Sequence, residues 1–289
     1  MRTPRSLTGI VAAMDEEVVE LRLRLAGRRP AGVSGARVTL GDLAGVPVAL
    51  GVTGDGEHNA RRGLAAMLAA LPLRRIIVVG VAGGLDPTLE VGALVIGEQV
   101  IDEADGGRYS ADAALVDLAA TAGAAARGIT VSARRIADTV DDKRRLLAIA
   151  RARPGAGDDP SPSPAVVDLE SAAFAALAKR AGVPWLVLRV VSDTAAESLP
   201  ALLNRSRDDG GAVRRARVIR ALLSDPRALR PLLALRERVR AGAHRLAQAV
   251  ALTVAALSRL DDASVAANMT RSAPDFQNTA ARREAQDGT

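Results

Sequence analysis

The chain has 289 residues, 48% of them apolar and 25% charged, enough to bury a core in one large domain or two modest ones and too apolar for disorder throughout. Cysteine is absent, which excludes a disulfide framework, a thiolate nucleophile and a cysteine-type zinc site. Four aromatic residues at most, Phe 2, Tyr 1 and Trp 1, leave no row of rings on which single-stranded nucleic acid could stack.

The 39 basic and 33 acidic residues give a formal charge of +6, which permits an anionic partner without requiring one. Leu7 to Met14 reads as a short apolar strand, and Asp15-Glu16-Glu17 then opens a helix, since acids in a first turn suit the helix dipole. Those acids also interrupt the opening before a signal-peptide core could form, and no apolar run reaches the ~18 residues of a spanning helix. The sequence is therefore expected to act in the cytoplasm. Ala36–Leu40 and Val46–Thr53 flank a tight glycine connection as two strands. Glycines 51, 54 and 56 form a loop that holds His58, and Ala60 to Leu71 is helical. His58 and His244 are expected to be solvated or locally bonded, and no metal is expected.

Arg75 to Gly84 is apolar at consecutive positions, the mark of a strand buried on both faces in a parallel α/β sheet. The rhythm continues with strands at Ala93–Ile96 and Ile129–Ser132, and with helices at Ala111–Ala126 and Asp141–Ala152. It ends with a strand at Val166–Asp168, a helix at Leu169–Ala181 and the apolar strand Trp185–Ser192. Alternation of this kind predicts an open, mixed α/β sheet flanked by helices. Residues 153–164, rich in Pro, Gly, Ser and Asp, are expected to be a mobile loop. From 199 to 261 the pattern is that of a helical extension, with Pro231 expected to kink or restart a helix, and 262–289 is expected to be a disordered tail. One domain over 1–261 follows.

In such sheets ligands bind beyond the carboxyl ends of the strands. Four of these ends carry unusual groups: Met14-Asp-Glu-Glu17, Val81-Ala-Gly83-Gly84, Val167-Asp-Leu169-Glu170 and Arg189-Val-Val-Ser192-Asp193. Glu17 reads equally as a first-turn acid or a catalytic one, and Ser192-Asp193 also reads as a helix N-cap.

Taken together, Ala13-Met-Asp-Glu-Glu17, Gly80-Val-Ala-Gly-Gly-Leu-Asp-Pro87, Val167-Asp-Leu-Glu-Ser-Ala-Ala173 and Leu188-Arg-Val-Val-Ser-Asp-Thr-Ala195 resemble the motifs of the purine nucleoside phosphorylase and methylthioadenosine/S-adenosylhomocysteine nucleosidase superfamily, in order and spacing from about residue 8 to 200. The resemblance implies cleavage of the N-glycosidic bond of a 5′-substituted adenosine. Asp193 would protonate the leaving purine, Glu170 would bind the ribose hydroxyls, and Glu17 with Arg189 would activate and orient water. Gly83, Gly84, Val81, Leu169, Ser192 and Ile136 would contact substrate. Leu169 stands where a methionine is common, and Ile136 is the apolar lid in the Ser132–Thr139 stretch, where the nucleosidases carry a stacking aromatic. Val78 and Val81 replace the arginine and serine that hold phosphate in phosphorolytic relatives. Hydrolysis is favoured, with no cofactor; inorganic phosphate is the co-substrate if the chain is a phosphorylase. A homo-oligomer is implied as well.

Residues 193–200 and Ile219–Leu233 also resemble the hopanoid-associated phosphorylases, which implies an adenosyl nucleoside with a lipid on its ribose. Between 205 and 245 the arginines 205, 207, 214, 215, 217, 220, 227, 230, 236, 238, 240 and 245 face only Asp208, Asp209, Asp225 and Glu237. This belt reads first as the solvated face of a core-packed helix, and otherwise as a peripheral contact with the inner face of a membrane. A non-catalytic nucleoside-binding module at such a surface is the reading from another class. Nucleic-acid binding through the arginines would be salt-sensitive and indifferent to nucleoside, and is not expected.

Overall fold

The computed structural model describes residues 6–123, 125–152, 163–205 and 229–271, with side chains through residue 259. Its strands are β1 (Leu7–Ala12), β2 (Ala26–Ala31), β3 (Arg37–Leu43), β4 (Val46–Val52), β5 (Leu73–Gly84), β6 (Leu94–Asp102), β7 (Arg108–Ser110), β8 (Ala126–Ser132), β9 (Ala165–Asp168) and β10 (Trp185–Asp193). The helices are α1 (Asp15–Arg24), α2 (Glu57–Ala70), α3 (Ala113–Gly123), α4 (Val140–Arg151), α5 (Ser171–Ala181), α6 (Leu202–Arg205) and α7 (Leu229–Arg271).

The sheet is mixed and flanked by helices, with α7 as the C-terminal extension, but it is not open throughout. Strand order runs β10-β6-β8-β9-β5-β1-β4-β3-β2, and β10 also pairs with β5. Strands β5, β10, β6, β8 and β9 therefore close on themselves, and β1, β4, β3 and β2 extend from β5 as a sheet. The length of β5 makes this possible. Its first part pairs with β1 and its middle with β10, both parallel, while Gly83 and Gly84 meet Val167 and Val166 of β9 in antiparallel register. Closure covers the edge that β10 would otherwise present and leaves β2 at the other end as an edge strand. It also brings the carboxyl ends of β1, β5, β9 and β10 to one place.

The buried faces follow the sequence. Val11, Ile76, Val78 and Val187 pack against Leu64 and Met67 of α2 and Phe174 of α5, while Ile10, Ile77, Val79 and Leu188 pack against Val18 and Leu21 of α1 and against α7. From Ala243 onward α7 buries Leu246, Ala247, Val250, Val254 and Leu257, a helical stripe set into this second core. The aromatic residues Phe174 and Trp185 are core residues.

Several elements differ from the expectation. Strand β2, Ala-Gly-Arg-Arg-Pro-Ala, is exposed along most of its length and pairs only with β3. Without apolar alternation it gives no sequence signal, and Pro30 is tolerated because the strand is an edge. The three-residue β7 was equally silent. His58 stands in the first turn of α2 and not in a loop, and His244 is exposed, 3.5 Å from Glu20. Pro231 is the third described residue of α7. The same helix continues to Arg271, into the segment expected to be tail; adding residues to a helix already formed avoids the cost of nucleation. Residues 153–162, the part of the arginine belt at 206–228 with six of its twelve arginines, and 272–289 lie outside the described residues.

If α7 is part of the core, Leu246→Ala destabilises the protein by about 2–5 kcal/mol in urea melts. A loss below about 0.5 kcal/mol, the size of an ordinary surface change, would mean that the helix is only laid on the surface.

Candidate active site

A cavity of about 270 Å³ opens where these strand ends converge. Its floor is acidic: Glu17, Asp55, Asp168, Glu170 and Asp193 line it, and among the described lining residues there is no basic side chain and no aromatic ring. Its outer part is apolar, with Ile136 from the segment after β8, Leu199 and Leu203 from the segment after β10, and Leu235 and Val239 from α7.

Glu17 stands in the first turn of α1 and is 2% exposed. Its Oε2 accepts the Met14 N–H at 2.9 Å, closing the helix start, and its Oε1 accepts the Val81 N–H at 2.9 Å across from β5. It therefore closes the helix start and also lies on the cavity floor. Burial raises its carboxyl above the ordinary 4.5, with Arg189 and the two backbone amides pulling the other way. Arg189 is buried behind the floor. Its Nη2 lies 2.5 Å from Asp168 Oδ2 and donates to Ser171 Oγ at 2.9 Å, and the Ser171 hydroxyl donates to Asp168 Oδ2 at 2.5 Å. Glycine at position 80 is what admits this group, since a Cβ there would run into Arg189 Nη1 and Glu17 Oε1.

Glu170 is the N-cap of α5, and its Oε1 accepts the Gly56 N–H at 2.8 Å from the loop after β4. Burial, with Asp168 and Asp55 close by, pushes its carboxyl from 4.5 up to about 8. Asp193 ends β10, 2% exposed. Its Oδ1 accepts the Ser192 hydroxyl at 2.6 Å, and its Oδ2 meets Lys143 Nζ of α4 at 2.5 Å.

The structure thus brings Glu17, Glu170, Asp193, Gly83, Leu169, Ser192, Ile136 and Val81 to one cavity. Arg189 stands behind the lining. Gly84 is also off it: the space above its Cα is filled by Asp193 O and the Val191 side chain, so it makes room for β10. Sequence reasoning missed Asp55, Asp168, Leu235, Val239 and Lys143. For Lys143 a signal existed. It shares the buried face of α4 with Leu146 and Ala150, so a lysine occupies an apolar position of the helical repeat, which is rare without a buried partner.

The raised Glu170 carboxyl makes a stability prediction. A folded state that holds this proton up to about 8 against 4.5 is favoured at low pH, and that contribution is lost as pH rises through about 8. Glu170→Gln, which keeps an acceptor for Gly56 N–H, should therefore melt with wild type near about pH 5 and several degrees above it near about pH 9. Equal melting curves at both pH values would show that the carboxyl is not held this way.

Comparison with known proteins bears on this geometry. The phosphorylase superfamily model matches residues 8–224. A 5′-methylthioadenosine/S-adenosylhomocysteine nucleosidase from Geobacillus thermodenitrificans is 31% identical over 205 residues, covering 65% of this chain and 84% of that protein. One of the same description from Marinomonas sp. is 29% identical over 216 residues, covering 68% and 89%. Among solved structures, the Neisseria meningitidis nucleosidase in complex with methylthio-immucillin-A aligns with a TM-score of 0.67 at 21% identity, over 86% of this chain and 99% of that one. Futalosine hydrolase of Helicobacter pylori aligns with a TM-score of 0.65 at 17% identity, over 86% and 97%. The chain belongs to the phosphorylase superfamily and is an enzyme of N-glycosidic bond cleavage.

Proposed function

We propose that the enzyme hydrolyses the N-glycosidic bond of a 5′-substituted adenosine of the methylthioadenosine or S-adenosylhomocysteine type, releasing adenine. The observation that carries this reading is the acidity of the cavity lining, five acidic side chains with no basic side chain among the described residues. Breaking a ribosyl–base bond leaves positive charge on the sugar, and buried carboxylates aimed at it are worth most in the transition state. A phosphate dianion in the same place would be repelled by them.

The positions that hold phosphate in phosphorolytic relatives agree with water as the nucleophile. Val78 is buried in the core, and the Val81 N–H is already given to Glu17. In this reading Glu17 takes the proton of the attacking water. Arg189, tied to Asp168, supports that carboxylate from behind. Glu170 faces the ribose hydroxyls, and Asp193 hands a proton to the purine ring nitrogen that gains charge as the bond breaks. Ile136 forms the apolar lid over the base, and the chemistry needs no cofactor.

The outer wall favours a second reading for the substituent alone. Leu199, Leu203, Leu235 and Val239 give the 5′ end an apolar seat, and Leu229 and Leu233 lie exposed further along α7. That seat suits an extended apolar group, including the lipid-linked adenosyl nucleoside of hopanoid assembly. Arg230, Arg236 and Arg240, exposed on the same helix, would then meet anionic headgroups; among the described residues no helix is long and apolar enough to cross a membrane. A homo-oligomer is carried over from the resemblance and rests on that alone.

Adenine release from methylthioadenosine, S-adenosylhomocysteine and adenosine, each with and without phosphate, tests the reading. The expected result is free sugar without phosphate, with Asp193→Asn lowering kcat by about 10²–10⁴-fold in a folded protein. Strict phosphate dependence would replace hydrolysis by phosphorolysis. Binding with no base release from any of the three, or from a longer 5′-alkylthio analogue, would leave a nucleoside-binding module.

A further inference from the structure

Lys143 is 1% exposed and among the largest fully buried side chains of the protein. Its ammonium has three protons and three acceptors: Asp193 Oδ2 at 2.5 Å, Thr194 O at 2.5 Å and Glu197 O at 2.9 Å. Only one of the three, the carboxylate, can take a proton. The two carbonyls lie on the segment after β10 and would go on accepting N–H bonds from a neutral amine. A full charge is costly to bury, and hydrophobic packing alone could have filled this place on the apolar face of α4. Lys143 does not line the cavity, so whatever it does for a ligand it does through Asp193.

We propose that Lys143 is the positioning residue of the leaving-base step, the proton store behind Asp193. The proposal rests on the nucleosidase reading. Paired with an ammonium and accepting the Ser192 hydroxyl, the Asp193 carboxylate has no proton of its own to give. As the C1′–N9 bond breaks, its electron pair passes into the purine, Lys143 Nζ passes a proton to Asp193 Oδ2, and the carboxyl so formed hands it to a ring nitrogen and returns to carboxylate. The freed electron pair of Nζ then faces Oδ2 while its two remaining N–H groups stay on Thr194 O and Glu197 O. Water adds to C1′ and gives its proton to Glu17, so charge balances within the site. After product leaves, Glu17 loses that proton and Lys143 regains one through solvent.

The full-length enzyme and its Lys143→Met and Lys143→Arg variants should be compared on two compounds. These are methylthioadenosine, whose base needs a proton, and the 4-nitrophenyl glycoside of 5-methylthioribose, whose leaving group departs as an anion. Lys143→Met should lose about 100-fold or more in kcat on methylthioadenosine, the range of a general acid, with KM within about 3-fold. Its rate on the nitrophenyl glycoside should stay within about 3-fold of wild type. Its rate on methylthioadenosine should also climb as pH falls, because Asp193 must then draw its proton from solvent, and Lys143→Arg, which keeps the charge but gives up no proton, should not restore the loss. Equal losses on both compounds, or no loss on either, overturn the proposal and leave the nucleosidase reading standing. Wild-type enzyme inert on both overturns the two together. Should Lys143→Met fail to fold, Lys143→Gln, which keeps hydrogen bonds and loses the charge, is read in the same way.

Discussion

Buried carboxylates set the terms for the rest of this molecule. Glu17, Asp168, Glu170 and Asp193 are all under one-tenth exposed and share one floor, where like charges repel far more strongly than in water. Each is met by its own donor. Asp168 has Arg189 and Ser171, Asp193 has Lys143 and Ser192, and Glu17 and Glu170 accept from backbone amides. The division has a chemical meaning. Asp168 and Asp193 sit in full ion pairs, whereas the two that accept from amides are the ones whose carboxyls burial raises. Glu170, pushed up to about 8, is poised to change protonation near neutral pH.

The fold supplies those donors from different elements. Arg189 comes from within β10 and reaches beneath β5, which is open to it because position 80 has no side chain. Gly83 likewise lies against Asp193 Oδ2 and Val167, so β9 and β10 can both crowd the end of β5. Closure of β5, β10, β6, β8 and β9 then places an α4 lysine opposite the end of β10. In an open sheet that helix would belong to a distant edge.

How legible this was depended on the range of the interaction. The consecutive apolar residues of β5 and β10 and the helical stripes announced themselves, because burial on two faces or one leaves a local pattern. The motif residues that share the cavity lie at strand ends, where a polar group after an apolar run is visible. The closing pair β5–β10 was not visible, since strand order is decided by contacts between residues about a hundred positions apart. Edge strand β2 leaves no pattern because among the described residues it pairs on one side alone. In the sequence Asp55 belongs to a glycine loop, and Leu235 and Val239 to an arginine belt. What makes them cavity residues is where α7 and the β4 loop come to rest. Lys143 was the exception, a local anomaly on an apolar face that composition alone could have flagged.

The two halves of the cavity are joined through the same lysine. Glu197 gives its backbone carbonyl to Lys143, its Oε2 accepts the Thr194 N–H at 2.9 Å, and its Oε1 accepts from Arg238 of α7 at 2.9 Å. The Arg238 guanidinium and the Thr194 amide hold this partly exposed carboxyl below the usual range. Leu199, two residues on, gives its N–H to Asp138 O beside the lid residue Ile136. The end of β10 and the short segment after it therefore carry Asp193 of the acidic floor, Leu199 of the apolar wall and the Glu197–Arg238 contact with α7. Under the proposed nucleosidase reading this segment would join the seat of the 5′ group to the acid at the base, the kind of arrangement in which binding energy from a remote, unreactive part of a substrate is used at the reacting bond.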